Sequence, residues 1–147
     1  MNGRVFIDTN ILVYIYDPLD TAKQEQAIEV VDRLIRSGKA VISTQVIGEF
    51  FMATTRTRRS LLTPAEALMR MRNYLAICHI VNMTKLISLE AIRGVETHNF
   101  SFWDAQIWAT ARLNQIEEIY SEDFPSGATV EGVKFTNPFK LNDVMSS

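Results

Sequence analysis

The chain has 147 residues, 47% of them hydrophobic and 22% charged, with 15 Lys+Arg against 17 Asp+Glu. That is the length of one domain, 1–147, able to bury roughly 70% of the surface its unfolded chain exposes, and 6 Gly and 4 Pro exclude collagen-like or low-complexity sequence. The lone Cys78 excludes an intramolecular disulfide and a thiolate-rich zinc site and points to the reducing cytoplasm, while a net charge of −2 does not announce a nucleic-acid binder.

Val5-Phe6-Ile7 is a short apolar run that ends on polar residues, the pattern of a buried strand opening onto a loop. The apolar stretch to Tyr16 is broken by Asp8, Thr9 and Asn10 and has no cleavage site behind it, so it reads as neither signal peptide nor membrane span. Asn10 to Tyr16 forms a brief helix stopped before Pro18. Asp20 or Thr21 caps the next, where Ala27, Val30, Val31, Leu34 and Ile35 recur at helical spacing until Ser37-Gly38. Ala40-Val41-Ile42 is a second strand. Ser43 or Thr44 then caps a helix carrying Val46, Ile47, Phe50, Phe51 and Ala53. Thr63-Pro64 opens a helix whose core face is expected to be Ala67, Leu68, Met71, Leu75 and Tyr74. His79-Ile80-Val81 is a third strand, followed by helices over Thr84 to Glu96 and Ser101 to Asn114. Ile119-Tyr120 and Val133 to Phe135 complete about five strands, and the tail from Asn142 is expected to fray. Strands alternating with helices of this length predict an α/β fold: a mainly parallel central sheet with helices on both faces.

In such a sheet ligands bind beyond the carboxyl ends of the strands. Asp8 follows the first strand and Asp123 the fourth, Glu49 lies in the second turn of the helix after the second strand, and Asp104 lies in the first turn of the helix after Ser101. Each has an ordinary reading: Asp8 and Asp104 as helix caps, Glu49 as a solvated helical acid beside Gln45 and Arg56, Asp123 as turn chemistry. Four carboxylates on one crevice, however, repel one another unless a cation neutralises them. With no thiolate pair, and with His79 and His98 lacking metal-pair spacing, the donor set is all oxygen, which suits Mg²⁺ or Mn²⁺ and phosphoryl chemistry.

Four segments carry a family resemblance: Ile7-Asp8-Thr9-Asn10-Ile11-Leu12-Val13-Tyr14; Ser43 to Phe50; Phe102-Trp103-Asp104-Ala105-Gln106-Ile107; and Tyr120-Ser121-Glu122-Asp123-Phe124 with Asn137-Pro138-Phe139. Together, in this order, they resemble a PIN-domain ribonuclease of the VapC toxin type. The resemblance implies a homodimeric toxin that cuts RNA with Mg²⁺ or Mn²⁺, tRNA being one candidate target, and that a VapB-type antitoxin neutralises. It implies Asp8 and Asp104 as principal metal ligands, with Glu49 and Asp123 completing the catalytic acids. Thr9, Asn10 and Ser121 are implied as supporting polar residues. Asp123 rather than its neighbour Glu122 is chosen by the motif. The mechanism implied is in-line attack of a metal-activated water on a phosphodiester, leaving a 5′-phosphate and a 3′-hydroxyl.

Charge distribution agrees, since removing the four acids turns −2 into +2, and Thr54 to Arg72 holds Arg56, Arg58, Arg59, Arg70 and Arg72 against Glu66 alone. Arg56, Arg58 and Arg59 are the candidate RNA contacts, taken as lying on the helix that carries Glu49. Trp103 and Trp108 can stack on bases, but five residues apart they share no helix face, so at least one belongs to the core. His79, His98 and Cys78 read as structural. Phe50, Phe51 and Met52, with Met69 and Met71, read as core or as a partner groove. The alternatives are a DNA or housekeeping nuclease with the same chemistry, and a receiver-like phosphoacceptor. The second lacks the acidic pair after strand one and the late lysine.

Overall fold

A computed structural model of the protein describes residues 3–56 and 58–140. Chain order is β1 (Val5–Ile7), α1 (Thr9–Tyr14), α2 (Thr21–Arg36), β2 (Ala40–Ser43), α3 (Thr44–Thr54), α4 (Pro64–Ile77), β3 (His79–Val81), α5 (Lys85–His98), α6 (Phe102–Leu113), β4 (Glu118–Tyr120), β5 (Thr129–Val130) and β6 (Val133–Thr136). The strands form one sheet in the order β3-β2-β1-β4-β6-β5, with every pairing parallel except the β5–β6 hairpin. The five expected strands are all present. The sixth, β5, is two residues long and too short to register as a sequence pattern.

β1 sits in mid-sheet between β2 and β4, paired Val5 with Ala40 on one side and Val5 with Glu118 on the other. Its three residues are buried, as are the four of β2, which is why both read as unbroken apolar runs. The chain steps outward from β1 through β2 to β3, then returns to the opposite side of β1 with β4. That reversal opens a crevice at the carboxyl ends of β1 and β4.

The helices begin where the sequence supplies caps. Asp20 accepts from Lys23 N at 3.1 Å, Ser43 from Val46 N at 3.3 Å, and Thr63 makes a reciprocal capping box with Glu66 ahead of a core face on α4. That face differs from the expected one. Ala67, Met71 and Tyr74 are buried, but Leu68 and Leu75 are 50% and 47% exposed, because Tyr74 turns inward to meet Phe50 edge-on and the Tyr16 hydroxyl at 2.7 Å. On α3, Val46 and Phe50 are buried whereas Phe51 and Met52 face outward. The core therefore takes one apolar stripe from each of these helices and leaves the second uncovered. α6 is different: Ala105 to Ala111 are all buried. α5 runs two residues past the expected Glu96 and ends on Asn99, at φ +61°. The tail expected to fray lies outside the described residues. No described helix is long and apolar enough to cross a membrane.

Candidate active site

The β1/β4 crevice is a cavity of about 850 Å³, lined among others by Asp8, Thr9, Asn10, Glu49, Asp104 and Asp123. Three elements and one turn deliver the acids: the end of β1, the second turn of α3, the first turn of α6 and the turn after β4. All four expected carboxylates thus share one space.

Asp8 lies at its floor, 4% exposed. Its Oδ1 accepts from Thr9 N at 2.7 Å and its Oδ2 from the Ser121 hydroxyl at 2.7 Å. The capping reading therefore holds for this residue, which also lines the cavity. Ser121, itself 1% exposed, also accepts from Asp123 N at 3.1 Å, so one hydroxyl ties Asp8 to the backbone of Asp123. Across the cavity the Thr9 hydroxyl donates to Glu49 Oε1 at 3.0 Å. Asn10 Oδ1 accepts from Glu122 N at 3.4 Å and pins the turn that carries Asp123; Asn10 Nδ2 is buried with no partner. Asp104 N donates to Ser101 Oγ at 3.3 Å, half of a capping box.

The electrostatics record the crowding. Burial pushes the Asp8 carboxyl up to about 7, and the fields of Asp123 and Glu49 add to it against the lowering bonds from Ser121 and Thr9. Asp104 is also raised, by burial first and then by the field of Asp123, with a hydrogen bond to Ser101 acting in the opposite sense. The acids thus sense one another. Yet among the described residues no three Asp, Glu, His or Cys side chains stand close enough together to hold a metal ion between them. What the chain offers is four carboxylates around one cavity, Asp8 at the end of β1 and Asp104 in the first turn of α6.

Adjacent Glu122 takes no part in the cavity. It accepts from Tyr14 Oη at 2.7 Å and pairs with Lys23 outside it. The arginines separate in a way the sequence did not disclose. α3 ends at Thr54, so none of them lies on the helix of Glu49. Arg56 lines the cavity; Arg58 is exposed and does not line it; Arg59 is paired with Asp17, itself a lining residue. Trp103 lines the cavity at 60% exposure, while Trp108 is fully buried and donates to Val130 O at 3.1 Å. His79 bonds Gly38 O at 3.1 Å, and His98 meets Glu131 at 2.5 Å between the Phe100 and Trp108 rings, far from any ligand role. Cys78 is half-buried, and burial pushes its thiol up to about 11.

Two cavity residues escaped the sequence reading. Gln106 Nε2 donates to Gln45 Oε1 at 3.0 Å, and Gln45 Nε2 donates to Trp103 O at 3.3 Å and to Glu49 Oε1 at 3.4 Å. Gln45, four residues before Glu49 on one helix face, carried a signal; Gln106 carried none beyond a polar residue in an apolar helix.

Residues 5–124 match the PIN domain. The chain belongs to the PIN-domain family. No curated protein sequence matches it significantly. Solved structures share the PIN fold at low identity. VapC20 of Mycobacterium tuberculosis, described as a sarcin–ricin loop cleaving toxin, is 23% identical with a TM-score of 0.65, over 86% of this chain and 97% of that one. A toxin–antitoxin complex from Klebsiella pneumoniae is 19% identical, TM-score 0.68, over 91% and 97%. VapBC2 from Rickettsia felis, bound to a DNA fragment from their promoter, is 12% identical, TM-score 0.66, over 90% and 97%. This PIN domain therefore has the expected fold and presents its four acids at the crevice that the fold creates.

Proposed function

We propose that this PIN domain is a divalent-cation-dependent endoribonuclease, the toxin of a toxin–antitoxin pair, held in check by a VapB-type protein. The observation that carries the reading is the shared cavity in which Asp123 and Glu49 add to the burial that holds Asp8 at about 7. An uncompensated set of acids is unfavourable there, and a hard cation removes the conflict. The donors are all oxygen, which suits Mg²⁺ or Mn²⁺; since no three of them stand close enough to enclose an ion, magnesium there would keep most of its waters and take substrate phosphate.

Asp8 and Asp104 are the residues that would hold the ion. Bound there, it supplies Lewis-acid polarisation of the phosphate and lowers the pKa of a coordinated water. The chain's own side chains do the rest. Glu49, oriented by Thr9 and Gln45, and Asp123, anchored through Ser121, are positioned to orient the attacking water and accept its proton. Arg56 offers a cation to the strand. Attack in line with the departing 3′ oxygen leaves a 5′-phosphate and needs no 2′-hydroxyl, so RNA is selected by contacts outside the acids.

The toxin–antitoxin assignment is supported by neighbours that are themselves toxins solved with partners. It is also supported by exposed apolar side chains, Phe51 and Met52 on α3 and Leu68 and Met69 on α4, of which Met52 lines the cavity. A homodimer and a cytoplasmic location belong to the same reading. The test is cleavage of RNA by the purified protein in Mg²⁺ or Mn²⁺. Asp8→Asn and Asp104→Asn should each lower the rate at least 100-fold without changing the circular dichroism spectrum, and excess chelator should stop the reaction. Undiminished cutting by either variant, or in chelator, overturns the mechanism.

A further inference from the structure

Gln106 is out of character for its helix. The stretch from Ala105 to Ala111 is wholly buried, and Gln106 stands in it at 8% exposure, where a leucine would pack without stripping an amide of water. Its Nε2 donates to Gln45 Oε1 on α3 at 3.0 Å. The Gln45 amide is then fully committed, because its two N–H groups donate to Trp103 O at 3.3 Å and to Glu49 Oε1 at 3.4 Å. Both of those partners accept only, which fixes the orientation of the amide and leaves its oxygen to be met by a donor at position 106. We propose that Gln45 and Gln106 are positioning residues, an amide strap that sets how far Glu49 on α3 stands from Asp104 on α6 and so tunes the affinity of the acids for the divalent cation. The inference rests on the nuclease reading above and deepens it.

Three features argue for a strap. First, the two acid-bearing helices belong to different packing groups: α6 lies along α5, whereas α3 packs against α1 and α4. Among the described residues, the hydrogen bonds between α3 and α6 are all made by Gln45. Second, the grip falls on both sides of Asp104 in the chain, at the Trp103 carbonyl one residue before it and at the Gln106 amide two residues after it. The first turn of α6 is thereby tied to the first turn of α3. Third, Gln45 and the Thr9 hydroxyl both hold Glu49 Oε1, while no described residue bonds Glu49 Oε2. Because no three of the acids stand close enough to hold an ion between them, the width of the cavity decides which of them can share one. Groups that orient metal ligands without touching the metal commonly carry roughly 10- to 100-fold in affinity or activity.

The test uses Gln45→Leu, Gln106→Leu and the double variant, which replaces both amides by apolar groups of similar size and leaves neither partner unpaired. Mn²⁺ is titrated without RNA and read from the electron paramagnetic resonance signal of the free ion. Each single variant should bind Mn²⁺ roughly 10- to 100-fold more weakly, and at saturating Mn²⁺ should cut RNA with kcat about 10-fold lower and KM within about 3-fold of wild type. The double variant should be no worse than the poorer single one, since the two amides act as one unit. In chelator it should melt within about 3 °C of wild type or above it, a separation of metal affinity from stability that a merely structural role would not produce. Unchanged Mn²⁺ affinity and kcat in the double variant, losses that add between the single variants, or a fall in melting temperature that matches the fall in affinity overturns the inference, while RNA cutting by the wild type leaves the nuclease reading standing. A wild type that neither binds Mn²⁺ nor cuts RNA overturns the two together.

Discussion

Tyr14 Oη and Lys23 Nζ both engage Glu122, and Lys23 also lies over the Tyr14 and Phe139 rings at 5.1 and 5.5 Å. These contacts turn Glu122 away from the crevice, and its own backbone N–H is fixed by Asn10. Asp123, the next residue of the same bend, lines the cavity instead. The two acids should therefore respond very differently to neutralisation. Asp123→Asn should weaken Mg²⁺-dependent RNA cutting by at least 10-fold. Glu122→Gln should leave it within about 3-fold and lower stability by no more than about 1 kcal/mol, since the lost ion pair is partly exposed. Steady-state rates against Mg²⁺ concentration check both. An equal loss in the two variants would mean that the turn, and not the carboxylate facing the cavity, is what matters.

Gly94 on α5 faces Trp108 on α6 with no room to spare: a Cβ there would lie 2.8 and 2.9 Å from two indole ring carbons. The indole cannot yield, because it is fully buried and its Nε1 is bonded to Val130 O in the β5–β6 hairpin. Gly94→Ala should accordingly lower stability by about 1–3 kcal/mol, overriding the ~1 kcal/mol helix preference for alanine. Gly48 on α3 meets nothing within 4 Å, so Gly48→Ala should gain part of that ~1 kcal/mol. Urea melts of the two variants decide it, and a neutral Gly94→Ala would show that the α5–α6 contact is looser than described. Elements of this kind are unevenly legible in sequence. β1, β2 and α2 were readable because burial on both faces, or one clean stripe, leaves a simple pattern. α4 was misread because it carries two adjacent apolar stripes, and periodicity alone does not say which the core takes; Tyr74 wins through a hydroxyl partner and an aromatic neighbour that lie on α1's C-terminal flank and on α3. β5 exists only because β6 pairs with it.

Across the whole molecule, chain order was sufficient to place Asp8, Glu49, Asp104 and Asp123 near one edge, since parallel strands send every following turn to the same side. Pair-level detail was not legible: the Arg59–Asp17 pair and the Gln45–Gln106 bridge depend on segments that meet only after folding. Gathering the acids has a consequence for stability. An unfolded Asp8 releases its proton near 3.9, but the folded one keeps it to about 7. The folded state thus binds the extra proton between those values. Its stabilising effect is complete below the unfolded pKa and is lost as pH rises through the folded one, a decline of about 4 kcal/mol from this group alone. Cation-free protein should therefore melt at progressively lower temperature from pH 4 to pH 7, and Asp8→Asn should flatten that slope and melt higher at pH 8. Magnesium should reverse the loss where the carboxylate is ionised. At 100 times its Kd, ~2.7 kcal/mol of binding linkage corresponds to a rise of roughly 6–10 °C at pH 8, with little change at pH 5, where the proton occupies Asp8. Differential scanning calorimetry at the two pH values, with Mg²⁺ and with chelator, measures it directly. Equal magnesium shifts at pH 5 and pH 8, or an unaltered slope in Asp8→Asn, would place the ion's principal contact on a residue other than Asp8.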